Sequence, residues 1–205
     1  MILVCGVIIQ DMKWKTHIQG SEQSLVKQLT SRINGLVKVS LNASRETRLM
    51  VANGIFMSKL CYLIQLWGNC EKYLIKTLQV LQNKAARLVT GKSWFTSTRR
   101  LLKDCNWMSV QQLVFFHTVL QTHKILLSGT PTYFSQRIST QHPYKTRQAA
   151  GGSIWRGDEV TCKGNFSQRG SQAYNSIPPH IRNSGSLPTF KYKLRQWVTL
   201  NIPID

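Results

Sequence analysis

The chain opens on a run of apolar, mostly β-branched residues, ILVCGVII at positions 2–9, which has strand length and is too short for a free-standing helix. A buried strand needs neighbours on both sides, and only Met1 precedes it. The expectation is a single strand left over from a domain that lies mostly upstream. From Glu22 the period becomes helical: Leu25, Leu29, Ile33 and Leu36 recur every three or four residues, predicting a helix over 22–39. Asn42 or Ser44 offers the next N-cap, with Glu46 in the first turn, ahead of a helix over 45–66 that is apolar on much of its circumference. Trp67-Gly68-Asn69 ends it. Leu74, Leu78, Leu81, Ala85 and Leu88 then step four, three, four, three along a helix over 71–90, which Gly91 closes. A short helix over 98–105 follows. Ser109 and Gln112 form a capping box before a helix over 110–127, stopped by Gly129 and Pro131. Between 131 and 185 no apolar period lasts more than a few residues, which predicts irregular chain. Ser186 caps a last helix over 187–200 whose Leu187, Phe190, Leu194, Trp197 and Val198 share a face.

The architecture expected from this pattern is mainly α. Residues 1–19 carry the remnant strand, 20–130 a helical domain, 131–185 an irregular basic segment, and 186–205 a C-terminal amphipathic helix.

Charge narrows the choice of partner. The 205 residues contain 27 Lys and Arg against 8 Asp and Glu, a formal charge of +19. The excess is spread, with 17 bases against 5 acids in 1–130 and 10 against 3 in 131–205. So distributed an excess suits a phosphate backbone, which is bound largely without sequence information and with strong salt dependence. No membrane partner is expected, because the opening run is too short to span a bilayer and nothing in the sequence reads as a lipid anchor. The scattered bases form no compact nuclear-import run, so nucleus and cytoplasm fit equally.

Few residues are arranged for chemistry. Metal-assisted nucleotidyl transfer needs two or three convergent carboxylates, and Asp158-Glu159 is the sole adjacent acidic pair, in Gly- and Ser-rich surroundings. His17, His117, His123, His142 and His180 form no metal-binding or catalytic motif, and the five cysteines, at 5, 61, 70, 105 and 162, include no C-x-x-C pair. Reduced, mostly buried thiols are expected. No catalytic residue, resident cofactor or small-molecule substrate is assigned. Aromatics beside cations are more informative: Lys13-Trp14-Lys15, Lys92-Ser93-Trp94-Phe95, Tyr144-Lys145-Thr146-Arg147 and Lys191-Tyr192-Lys193 each set a ring next to a charge, as single-strand binders do.

Six blocks in order resemble the region after the catalytic palm in non-LTR, LINE-type (jockey-like) retrotransposon reverse transcriptases. CGVIIQDMKWKTHI at 5–18 resembles the family's LGV…D…W…HI stretch. YLIQLWGN at 62–69 and LQVLQNKAARLVTGK at 78–92 resemble its Y…WGN and LQ-x-LQN-x-AAR helices. YKTR at 144–147 resembles YNTR, and NFSQRGSQAYNSIPPHIRNSGSLPTFKYKL at 165–194 resembles F…RG…WNSLP…IR…SL-x-FK-x-x-L, which runs over the last two blocks. Tyr174 stands where the family usually has Trp, and the Gln-Asp junction at 10–11 is one residue short.

The resemblance implies that 1–19 is the end of a palm strand and the approach to a thumb, and that 20–130 is a helical thumb-like bundle gripping the template-primer duplex. It further implies that fingers and palm, with the acids that bind Mg²⁺, lie elsewhere, so this stretch of an RNA-directed DNA polymerase would itself be non-catalytic. Lys72, Lys76, Lys84, Arg87, Lys92, Arg99 and Arg100 are the expected phosphate contacts, with Arg147 on the YKTR block. Arg169 and Arg182, near Tyr174 and Trp197, are an expected second RNA-facing patch. RNA or DNA is the first partner, and the missing palm and fingers a further one. The alternatives are a structural or protein-interaction module built on the amphipathic helices at 71–90 and 187–200, or a decayed element copy without function.

Overall fold

Leu25, Leu29, Ile33 and Leu36, the stripe read from the pattern, are the buried residues of helix α1 (Leu25–Ser40) in the computed structural model, which describes residues 2–4, 7–9, 14–136, 138, 151–154 and 166–204. The protein is mainly α-helical. Each fully buried leucine in such a stripe contributes roughly 1.5–3 kcal/mol, which outweighs the modest helix propensity of α1's Val, Thr and Gly residues. The chain divides into two units, Met1–Leu113 with Ile204–Asp205, and Val114–Pro203.

In the first unit, two short strands, β1 (Ile2–Val4) and β2 (Val7–Ile9), pair antiparallel with Ile2 opposite Ile9 and Val4 opposite Val7. The run expected as one strand is therefore two strands paired with each other. A wide helical turn, Thr16–Gly20, leads into α1. The helix expected over 45–66 is divided. It starts as α2 (Arg45–Val51), capped by the Ser44 hydroxyl accepting from the Thr47 amide at 3.3 Å. It widens into π-type turns at Ala52–Met57, around Gly54, and resumes as α3 (Ser58–Cys61). Leu63 takes a left-handed conformation, φ 51°, and turns the chain into α4 (Ile64–Trp67). The indole N–H of Trp67 spans that break to the Tyr62 carbonyl at 3.0 Å. Ala52, Phe56, Leu60, Ile64 and Trp67 are fully buried, whereas α2 buries no residue. The second half of the segment is therefore the buried part.

Helix α5 (Lys72–Thr90) packs against α1 on one side and α6 (Thr98–Cys105) on the other. Gly91 ends α5 with φ 66°, as its place after the last periodic residue predicted. Its buried stripe is Leu74, Leu78, Leu81, Gln82, Ala85, Ala86 and Val89, so Leu88 is only half-buried and a glutamine stands in the core.

Helix α7 (Val110–Ser128) begins on the predicted capping box. The Ser109 amide donates to Gln112 Oε1 at 3.0 Å, and the Gln112 amide to Ser109 Oγ at 3.3 Å. From Val114 onward it belongs to the second unit, with α8 (Thr132–Ser135), α9 (Phe166–Ser176), α10 (Pro179–Arg182) and α11 (Leu187–Asn201). Helices α9 and α10 correct the expectation of irregular chain through 185. The buried face of α9 is Phe166, Ser167, Gly170, Ser171 and Tyr174, so small residues replace the large apolar ones that a periodicity search detects. Phe190, Leu194 and Val198 form the buried face of α11, capped by Ser186. Among the described residues no helix is long and apolar enough to cross a membrane.

Candidate nucleic-acid interface

On α5, at 100° per residue, Lys72, Lys76, Arg87 and Lys84 fall within an arc of about 120°, roughly opposite the Leu74–Leu78–Leu81–Ala85 stripe. The core contact of α5 therefore orients the cations outward. Lys72, Lys76 and Lys84 are exposed and spread over about 18 Å of helix axis. Arg99 and Arg100, in the first turn of α6, and Lys103 in its last are exposed as well. Residues 14–113 contain 15 bases and 4 acids, and one ion pair forms among them, Lys92 with Asp104. The charge of this surface is largely uncompensated.

Two expected phosphate contacts are already engaged within the chain. Lys92 is held by Asp104, whose carboxyl is kept below its ordinary range first by that lysine's hydrogen bond. The pair lines a shallow pocket of about 190 Å³ with Arg45 and Thr90, and the carboxylate there opposes an incoming anion. Arg87 is half-buried. Its Nη2 donates to the Trp94 carbonyl at 3.1 Å, and its guanidinium lies 4.5 Å from the centre of the Trp94 ring. Three arginines that the sequence reading did not single out serve similarly: Arg32 donates to the Ile55 carbonyl, Arg45 to that of Asp104 at 2.9 Å, and Arg48 to that of Leu88 at 3.1 Å. Each links segments at least 23 positions apart, and nothing local in the sequence marks them.

The polar residues of the LQVLQN stretch, Gln79, Gln82 and Asn83, have a defined place. Gln82, fully buried, donates to the Met108 carbonyl at 2.9 Å, and Gln79 Oε1 accepts from the Val110 amide at 2.9 Å. Gln79 Nε2 reaches both Gln82 Oε1 and Asn83 Oδ1 at 2.9 Å, and Asn83 donates to Thr98 Oγ1 at 2.9 Å. This amide network holds the starts of α6 and α7 against α5, and so sets where Arg99 and Arg100 stand.

Of the residues expected in a second RNA-facing patch, Arg182 and Tyr174 point inward. Tyr174 is 4 % exposed and Arg182 9 %, with Arg182 Nε and Nη1 lacking hydrogen-bond partners. The Tyr174 hydroxyl meets His123 Nδ1 at 3.1 Å, and the His123 ring stacks on Phe190 with centroids 3.7 Å apart. Burial pushes the tyrosine up to about 12 and His123 below its ordinary value. Trp197 packs on Phe115, and Arg169 is half-buried. Tyr174 and Arg182 therefore lie in a core where a surface was expected. Arg147, with the rest of Tyr144-Lys145-Thr146-Arg147, lies outside the described residues.

The other aromatic–cation clusters differ in exposure. Trp14 is half-buried, edge-on to His17, and Tyr192 is exposed with its hydroxyl accepting from Gln196. Trp94 and Phe95 are 66 % and 95 % exposed, in the loop joining the two helices that carry the cations. Cys61, Cys70 and Cys105 are free thiols pushed up to about 11 by burial, which leaves them protonated and unreactive at neutral pH. Among the described residues no group of three or more His, Cys, Asp or Glu converges. Comparison with protein-family models, curated proteins and solved structures finds no match to this chain.

Proposed function

We propose that this chain binds nucleic acid through the outward face of α5 and α6, as the thumb-like, non-catalytic part of a LINE-type reverse transcriptase whose polymerising residues lie in other sequence. The observation that carries the reading is a set of exposed cations without ion-pair partners among residues 14–113: Lys72, Lys76 and Lys84, opposite the stripe that anchors α5, and Arg99 and Arg100 in the first turn of α6. The three lysines in a row on a rigid helix suit a phosphate backbone, because no ion-paired carboxylate has to be displaced from them and little ordering is needed on binding. The reverse-transcriptase assignment is supported by the ordered blocks, several of whose letters occupy packing positions: Gln79, Gln82 and Asn83 in the amide network, and Asn175, whose side chain exchanges two hydrogen bonds with the Ile154 backbone at 2.8 and 3.0 Å. Such roles are what a shared fold would preserve.

The test is fluorescence-anisotropy binding to a labelled primer-template duplex across a salt series, beside a Lys72, Lys76, Lys84 triple alanine variant. Each lost phosphate contact flattens the slope of log affinity on log salt by about 0.9, so the variant is expected to lose roughly 2 to 3 units of slope. An Arg87→Ala variant, made separately, is expected to change the slope by less than one unit. Absence of binding, or an unchanged slope in the triple variant, overturns the reading and favours a protein-interaction module.

A further inference from the structure

Ser93–Thr96 is a β-turn, closed by the Thr96 amide on the Ser93 carbonyl at 3.1 Å, and its two corner positions are Trp94 and Phe95. Turn corners usually carry Gly, Asn, Asp or Pro, which suit the turn's backbone, and at a solvent-facing corner a large apolar ring gains nothing from burial. Two adjacent large rings, 66 % and 95 % exposed, contradict that rule unless something covers them. The turn is also unusually well held. Arg87 bonds the Trp94 carbonyl and lies over its ring, Lys92 is tied to Asp104 on one side, and Asn83 holds Thr98 on the other. A fixed platform loses little conformational freedom when a flat ligand stacks on it.

Resting on the nucleic-acid reading above, we infer that Trp94 and Phe95 stack on unpaired bases at the single-stranded end of a bound duplex, while the α5 and α6 cations hold its phosphates. Charge complementarity selects this occupant. The turn joins the helix carrying Lys84 to the helix beginning with Arg99 and Arg100, so a flat apolar partner here must tolerate a cationic surround. A nucleobase attached to phosphate meets both conditions, and stacking is indifferent to sequence because every base has a π face. The guanidinium on one face of Trp94 leaves ring surface on the other for a base.

The experiment compares one duplex bearing a four-nucleotide overhang with the same duplex bearing an abasic overhang, which has identical phosphates and no rings. The full chain is expected to bind the base-bearing end about tenfold or more tightly, since each stacked base is worth roughly 5- to 150-fold in affinity. Trp94→Ala with Phe95→Ala is expected to abolish that difference while leaving the salt slope intact; Trp94→Phe with Phe95→Tyr is expected to keep it. Both ring positions are solvent-facing, and circular dichroism of each variant verifies the fold. Equal binding of the two overhangs, or a difference that survives in the double alanine variant, overturns the inference while duplex binding stands. Failure to bind any duplex overturns both readings. Loss of self-association, or of anionic-vesicle binding, in the double alanine variant without any base-dependent difference assigns the rings to a second copy or to lipid and overturns the inference.

Discussion

At Gly170 an added Cβ would collide with Thr122 Oγ1, so the approach of α9 to α7 depends on the missing side chain. Alanine normally favours a helix over glycine by about 1 kcal/mol, yet overpacking a tight contact costs about 1–3 kcal/mol. Gly170→Ala is expected to be net destabilising in urea denaturation, and Thr122→Ala in the same chain to recover part of the loss by removing the colliding hydroxyl. A second residue-scale prediction concerns His123. Burial lowers its pKa below the unfolded value of 6.5, as burial first and nearby Lys191 and Lys124 do for His117, and as burial and Lys59 do for His17. The unfolded chain therefore takes up protons before the folded one. The stabilisation this difference contributes is fully present above about pH 6.5 and is lost as pH falls from there through the lower folded-state values. The urea midpoint is expected to drop between pH 7.5 and 5.5, and less steeply in His123→Phe, which keeps a ring on Phe190 without the titrating group. An equal drop in both proteins would assign the effect elsewhere.

Among the elements, α5 shows how far periodicity carries. Leu74, Leu78, Leu81 and Ala85 were legible as a stripe because leucine burial at 3.6-residue spacing is a local signal. Gln82 was not, because its burial depends on the Met108 carbonyl 26 positions away. Gln82→Leu adds hydrophobicity and helix propensity, yet it strips that buried carbonyl of its donor. It is expected to destabilise the chain by about 1–3 kcal/mol in chemical denaturation; a stabilised variant would refute the account of the network. Helix α9 was missed for the opposite reason. Its contact face is Ser167, Gly170 and Ser171 between two aromatics, and small residues that permit close packing give no apolar period.

For the molecule as a whole, a formal charge of +19 with one ion pair among residues 14–113 makes self-repulsion the dominant long-range electrostatic effect. Screening is expected to outweigh the weakening of the Lys92–Asp104 pair, so the Tm should rise as salt increases from about 20 to 200 mM, over which the Debye length shortens from roughly 20 to 7 Å. A polyanion such as heparin should raise it further. A Tm that falls with salt would show that local ion pairs, not net repulsion, set the balance.

By itself the sequence determined the mainly α class, most of the α1, α5 and α11 stripes, the caps at Ser109 and Ser186, and the excess of positive charge, since each is a property of neighbouring residues or of a simple count. Only the tertiary structure decided which cations are free. Lys72, Lys76 and Lys84 stay exposed, while Lys92 is held by Asp104, Arg87 by the Trp94 turn, and Arg45 and Arg48 by carbonyls far along the chain. It also turned Tyr174 and Arg182 inward and left Trp94 and Phe95 outside. The physical reason is the same throughout: periodicity reports what one element buries, whereas hydrogen-bond and ion-pair partners far apart in sequence are set by how the elements meet.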